Sequence, residues 1–289
     1  MAMKSYKGFD KKLKCRDFQY EIGKEYEMDG EIKVCSRGFH ACESPFDVFD
    51  HYTMIDSRFC EVEQDGNISK EDRGTKICSS KIKIKAELKL ADMINLGVEW
   101  LKEITSPEKI KTSIKDNSSG NGAQIGSSGN GAQIGSSGYD AKIGSSGNDA
   151  KIGSSGYDAK IGSSGYDAQI GSSGNGAQIG SSGDGAQIGS SGDDAKIGSS
   201  GYGAKIGSSG YGVQIDSTGE DCVIMCAGIN SVAKASKGSW ITLSEWSYSD
   251  KKQRYIPVCV KTEFVDGKKI KADTYYSLKG GVFVESVNN

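Results

Sequence analysis

Isoleucine recurs at positions 125, 134, 143, 152, 161, 170, 179, 188, 197, 206 and 215, every nine residues without a slip. Each closes a unit of the form G-S-S-G-x-x-A-[KQ]-I, so residues 117–215 are eleven in-register copies of one nonapeptide. A period this short means that one small unit stacks on itself, because a single copy cannot bury its own apolar face. Alanine stands two positions before each isoleucine (Ala123, Ala132, Ala141 and onward, with Val213 in the last copy). Alternate residues of a strand share a face, so Ala and Ile point inward and the Lys or Gln between them points out. The G-S-S-G segment supplies tight bends and residues that accept positive φ. Each unit therefore predicts one short strand and one turn.

The chain is expected to be mostly β: a β-solenoid at 116–239 between an α+β N-terminal domain at 1–115 and a β-rich C-terminal cap at 240–289. Two nonapeptides per coil would make an 18-residue, two-sided roll, and three a triangular prism. Ala and Ile are too small to fill a wide triangle, which favours two. Asp216–Ile224 and Met225–Ala233 are degenerate further copies. Thirteen units then make six or seven coils, roughly 30 Å long at ~4.8 Å per rung. The segment Ala227-Gly-Ile-Asn-Ser-Val-Ala-Lys-Ala235 resembles the N-S-V-A units of trimeric autotransporter adhesin heads, and the resemblance implies the same roll geometry.

Composition excludes several partners. Glycine makes up 40 of the 289 residues and proline only 3, which marks repeated tight turns rather than a collagen-like chain. A net charge of −2 gives no bulk attraction to nucleic acid or an anionic membrane. The opening Met1-Ala-Met-Lys-Ser-Tyr lacks an apolar export segment, and no 18-residue apolar run follows, so a cytosolic protein that does not enter membranes is expected. Eight cysteines in such a chain read as free thiols. Cys35, His40 and Cys42 form the one metal-like cluster, but it has no C-x-x-C knuckle and would need Cys15 or Cys60 as a fourth ligand. No metal or cofactor is expected.

The outward positions narrow the choice further. Lys142, Lys151, Lys160 and Lys196 each follow an Asp two positions earlier, whereas Gln124, Gln133, Gln178, Gln187 and Gln214 follow Gly. Placed on one strand face, such pairs neutralise each other, which disfavours a polyanion-binding stripe. Repeat-face binding of calcium, ice or polysaccharide is the alternative use of the coil. The calcium-binding nonapeptide places its apolar residue at the eighth slot, and an ice-binding ladder is rich in Thr. Neither pattern matches this unit. What remains is a column of Tyr139, Tyr157, Tyr166, Tyr202 and Tyr211 interleaved with Asn121, Asn130 and Asn148. Tyrosine offers large contact area at low entropic cost, so this column is the candidate partner-binding face.

In the flanking regions, strands are expected at Phe18–Ile22, Glu31–Val34, Phe59–Glu63 and Lys81–Glu87, with turns at Asp29-Gly30 and Asp65-Gly66. A helix over Ala91–Ile104, with Ile94, Val98 and Leu101 on one side, is expected to cover the first open rung of the coil. The cap should contain Ile256–Phe264, Lys269–Tyr276 and Gly281–Glu285. The motifs Tyr6-Lys-Gly-Phe9, Cys35-Ser-Arg-Gly-Phe-His-Ala-Cys-Glu-Ser-Pro45 and Gly238-Ser-Trp-Ile241 resemble an uncharacterised family of phage and prophage proteins. Its members share such an N-terminal domain, a nonapeptide-like middle and a similar cap, which implies a phage setting but no activity.

Lys7, His40, Glu61 and Glu63 also resemble, more distantly, the NAD-handling set of ADP-ribosyltransferase-like folds. In those folds an early basic residue, a mid-domain Tyr or His and a late Glu surround NAD. The chain departs from that pattern, lacking the Ser-Thr-Ser strand and carrying Lys7 where Arg or His stands. The expectation is therefore a non-catalytic binding or scaffold protein. Its partner would be a host or phage protein, for instance a defence component that it inhibits. The cap or the tyrosine column could support a homo-oligomer.

Overall fold

The computed structural model describes residues 2–71, 74–105 and 120–286. The expected junction at 115–116 lies outside them. The centre of the chain is the anticipated two-sided roll. Strands β8–β20 are four residues each and begin every nine residues, from Gln124–Ser127 to Val232–Ala235. They pair in parallel with the strand two units on, Ile143 opposite Ile125 and Ile161, and Ile152 opposite Ile134 and Ile170. Even-numbered strands thus make one sheet and odd-numbered strands the other. Ile and Ala of both sheets are buried between them. With the rung begun by β21 (Trp240–Ser249), the coil completes about seven turns over residues 124–243.

Three features of the repeat differ from the simple reading. Positive φ falls in the slot two before Lys/Gln, at Asp140, Asp149, Asp158, Asp167 and Asp194 (φ 52–55°) or at Gly122, Gly131, Gly176, Gly185, Gly203 and Gly212. Asp and Gly alternate there because both tolerate the left-handed region. The second glycine of G-S-S-G serves a different purpose. A Cβ on Gly156 would run into the Gly138 carbonyl, and one on Gly165 into that of Gly147, so only Gly permits the corner to stack. Finally, the first serine points inward: the hydroxyls of Ser145, Ser163, Ser181 and Ser199 are buried without a hydrogen-bond partner, each a cost the stacked Ile and Ala must offset.

The N-terminal region forms a five-stranded sheet in the order β4-β7-β5-β1-β6. Its strands are β1 (Met3–Phe9), β4 (Glu25–Glu27), β5 (Phe39–Cys42), β6 (Arg58–Lys70) and β7 (Lys76–Leu88). Strands β2 (Lys14–Cys15) and β3 (Phe18–Gln19) form a small hairpin beside it. Phe18–Ile22 is a strand only over its first two residues, and Glu31–Val34 contributes an isolated bridge, Lys33 to Arg37. Asp65-Gly66 is an irregularity inside β6 rather than a hairpin turn.

Helix α1 (Leu90–Ile104) does not sit on the open end of the coil. It lies along the even-numbered sheet, against β8, β10, β12 and β14. Leu90 meets Gly198, Ile94 meets Gly180, Val98 and Leu101 meet Gly144, and the backbone at Leu101–Lys102 meets Gly126. Eleven residues of helix rise about 16 Å and four rungs span about 19 Å, so one apolar residue every three or four positions finds one glycine per rung.

The cap begins as solenoid. Strand β21 is parallel to β19 (Val223–Cys226), then turns into β22 (Arg254–Phe264), the edge of the odd-numbered sheet. β23 (Tyr276–Lys279) and β24 (Val282–Glu285) finish the even-numbered sheet. Lys269–Tyr276 joins a strand only at its last residue.

Candidate functional site

The two broad faces of the roll are built from alternate copies of the same nonapeptide and have different fates. On the covered face, the outward Lys/Gln column is used by the N-terminal region. Lys142 Nζ donates to Asp47 Oδ1 at 2.8 Å, Lys160 pairs with Asp50, and Gln178 Nε2 donates to the Phe49 carbonyl at 3.1 Å. Asp47, Phe49 and Asp50 lie on a short 3-10 helix, Phe46–Asp50, and the Phe46 ring fills the space over Gly162. Lys142 and Lys160 are thus neutralised by another element and not by Asp140 and Asp158, whose slot is a turn position. The charge compensation expected within each copy therefore does not form at these lysines.

On the open face, Gly135, Gly153, Gly171, Gly189 and Gly207 have no neighbour within 4 Å of where a Cβ would stand. They floor a trough of about 1070 Å³ flanked by Lys151 and Lys205. In the last copies glycine gives way to Met225 and Lys/Gln to Val223, and the next rung presents Trp240. Trp240 packs on Phe264 at 5.1 Å, yet the two remain 47% and 41% exposed, and Val223, Met225 and Val260 are more exposed still. An exposed apolar cluster of this kind at the end of a long open trough is characteristic of an interaction surface. Sequence reasoning missed it, although the loss of Gly and Lys/Gln in the terminal copies was the available signal.

The tyrosine column divides. Residues 18 apart share a corner, so Tyr139, Tyr157 and Tyr211 line one edge of the roll, and Tyr166 and Tyr202 the other. Tyr139 and Tyr157 stack at 5.3 Å, and all five rings are about half exposed. The interleaved asparagines tie successive corners together. Asn121 Oδ1 accepts the Tyr139 backbone N–H, Asn130 that of Asn148, and Asn148 that of Tyr166. Asp184 and Asp193 do the same for Tyr202 and Tyr211.

A second concavity lies in the N-terminal region, a cavity of about 1110 Å³ bordered by β1, the β2–β3 hairpin, β4 and β5. Lys7 is almost fully buried in its wall. Its Nζ donates to the His40 carbonyl at 2.7 Å and approaches Cys15 Sγ at 3.6 Å, while Tyr52 Oη donates to the same sulfur at 3.0 Å. Burial holds the Lys7 ammonium below the ordinary lysine range. Burial, reinforced by Lys7 and Lys76, likewise lowers His40, whose Nε2 accepts the Cys35 backbone N–H. Glu61 and Glu63 do not join Lys7 and His40: neither lines the cavity, and they pair with Lys4 and Lys85.

Cys42 and Cys60 are buried thiols pushed up to about 12 by desolvation. Among the described residues, no group of three His, Cys, Asp or Glu side chains is arranged to hold a metal, and no helix is long and apolar enough to cross a membrane. No curated protein and no solved structure matches the chain significantly. Residues 3–96 match a family model described as a domain of unknown function, DUF7666, which spans the N-terminal sheet and the first half of α1 and leaves the solenoid outside it.

Proposed function

We propose that the protein is a non-catalytic binding scaffold. One face of its solenoid carries the N-terminal region, and the other presents a glycine-floored trough, ending in Trp240 and Phe264, to a macromolecular partner. The observation that carries this reading is the contrast between two faces built from one repeat: one is filled by the chain's own helix and aspartates, the other is open and carries large exposed apolar side chains at its end. Buried aromatic anchors dominate the energetics of most interfaces, so Trp240 is the residue expected to matter most. The resemblance of the G-F-H-A-C segment to phage proteins supports a phage-encoded chain acting in the host cytosol. A host protein, such as a component of a defence system that the chain inhibits, is the partner that setting favours.

The test is affinity capture from host lysate with the wild-type chain, Trp240→Ala and Gly171→Leu. A partner held by the wild type and lost by both variants is the expected result. A partner held equally by all three would place binding elsewhere on the molecule.

A further inference from the structure

The N-terminal cavity is lined by three cationic side chains, Lys7, Arg16 and Lys76, none of which makes an ion pair among the described residues. Lys7 is only 5% exposed, and its two polar neighbours, the His40 carbonyl and the Cys15 sulfur, are not carboxylates. A buried ammonium without an ionic partner is costly. Arg16 and Lys76 also line the cavity without a carboxylate partner among the described residues. Four carboxylates also line the cavity, but three turn to other lysines: Glu25 and Glu27 share Lys81, at 2.8 and 3.7 Å, and Asp50 pairs with Lys160 on the solenoid. Asp17 stands exposed at the rim.

One wall of the same cavity is aromatic. Phe18, Tyr20 and Tyr26 form a mutually edge-on trio with centroids 4.7–5.3 Å apart. The Tyr20 ring lies 5.6 Å from Lys7 Nζ, so the aromatic wall and the cationic cluster meet. Phe18 is nonetheless 46% exposed, an apolar ring left at the mouth. Arg16, in the turn between β2 and β3, is held at φ +55°, in the left-handed region that a non-glycine residue enters at a cost. Arg16 is exposed at the rim, on the hairpin that also supplies Phe18.

We propose that this cavity is a binding site for a small organic anion bearing a planar ring, of the nucleotide class. Lys7 and Arg16 would hold the anionic group, and the exposed Phe18 ring, backed by the buried Tyr20 and by Tyr26, would take the planar ring. The volume is ample for a mononucleotide. Charge-assisted hydrogen bonds to phosphate and stacking on aromatic faces are the two interactions that such a ligand requires. The site is independent of the open solenoid face and involves no bond-making step.

Calorimetric titration of the full chain with ADP, adenosine and pyrophosphate tests it. ADP is expected to bind more tightly than either half of the molecule. Lys7→Met, which keeps the stem but removes the charge, and Arg16→Ala, an exposed change that leaves the core intact, should each weaken ADP by about ten-fold or more. Trp240→Ala should leave ADP binding unchanged, which separates this site from the partner-binding face. The proposal is overturned if ADP gives no binding to the folded wild type, if pyrophosphate binds as tightly as ADP, or if both cavity variants retain wild-type affinity.

Discussion

Lys142, on the third strand of the coil, and Asp47, 95 residues earlier in the N-terminal region, meet at 2.8 Å with both side chains largely buried. This pair joins the two parts of the chain. Removing one member leaves the other charged and desolvated. Asp47→Ala is therefore expected to cost about 3 kcal/mol in chemical denaturation. Adding Lys142→Gln, the residue that other copies carry in this slot, should restore most of the loss.

The aspartates of the repeat make a different prediction, because their slot selects for backbone conformation and not for charge. Asp158 sits at φ +54°. Asp158→Gly and Asp158→Asn should leave the melting temperature nearly unchanged, since both residues enter this region readily. Asp158→Ala should cost about 1 kcal/mol. If Asp158→Asn were as damaging as Asp158→Ala, charge rather than φ would be governing the slot.

Much of the solenoid is legible in the sequence. The Ile and Ala columns follow from the period, and the small size of those side chains selects two units per coil. The placement of α1 is not legible: Ile94, Val98 and Leu101 announce an apolar stripe without saying what it meets. Nor can the sequence reveal why glycine follows every repeat isoleucine from Ile125 to Ile206, since Gly144 and Gly153 look identical and only Gly144 has a helix above it. Lys7 and His40 do line one cavity, but Glu61 and Glu63, grouped with them by residue type, do not. Those two glutamates lie on a strand next to β1, but the alternation of that strand buries Cys60, Val62 and Gln64 and turns Glu61 and Glu63 outward, where they pair with Lys4 and Lys85.

Lys7 gives a pH dependence. Because burial lowers its folded-state value, the folded chain binds fewer protons at this site than the unfolded chain does, up to an ordinary lysine value of about 10.4. The stability contributed by this group therefore rises with pH through that window and is depressed below it. Lys7→Met should raise stability at pH 7, with the gain shrinking as pH approaches 10. Melting curves between pH 6 and pH 10 check this, and a gain that grows with pH would contradict it.

The most direct test of the two-faced architecture is hydrogen exchange of α1 in a matched pair of variants. Gly180→Val would place a side chain against Ile94 Cδ1, 2.6 Å from where its Cβ would stand, whereas Gly171→Val adds one over open space on the other face. The expected result is that α1 amides lose protection in Gly180→Val and keep it in Gly171→Val. Protection kept in both variants, or lost in both, would contradict a solenoid with one covered face and one open one.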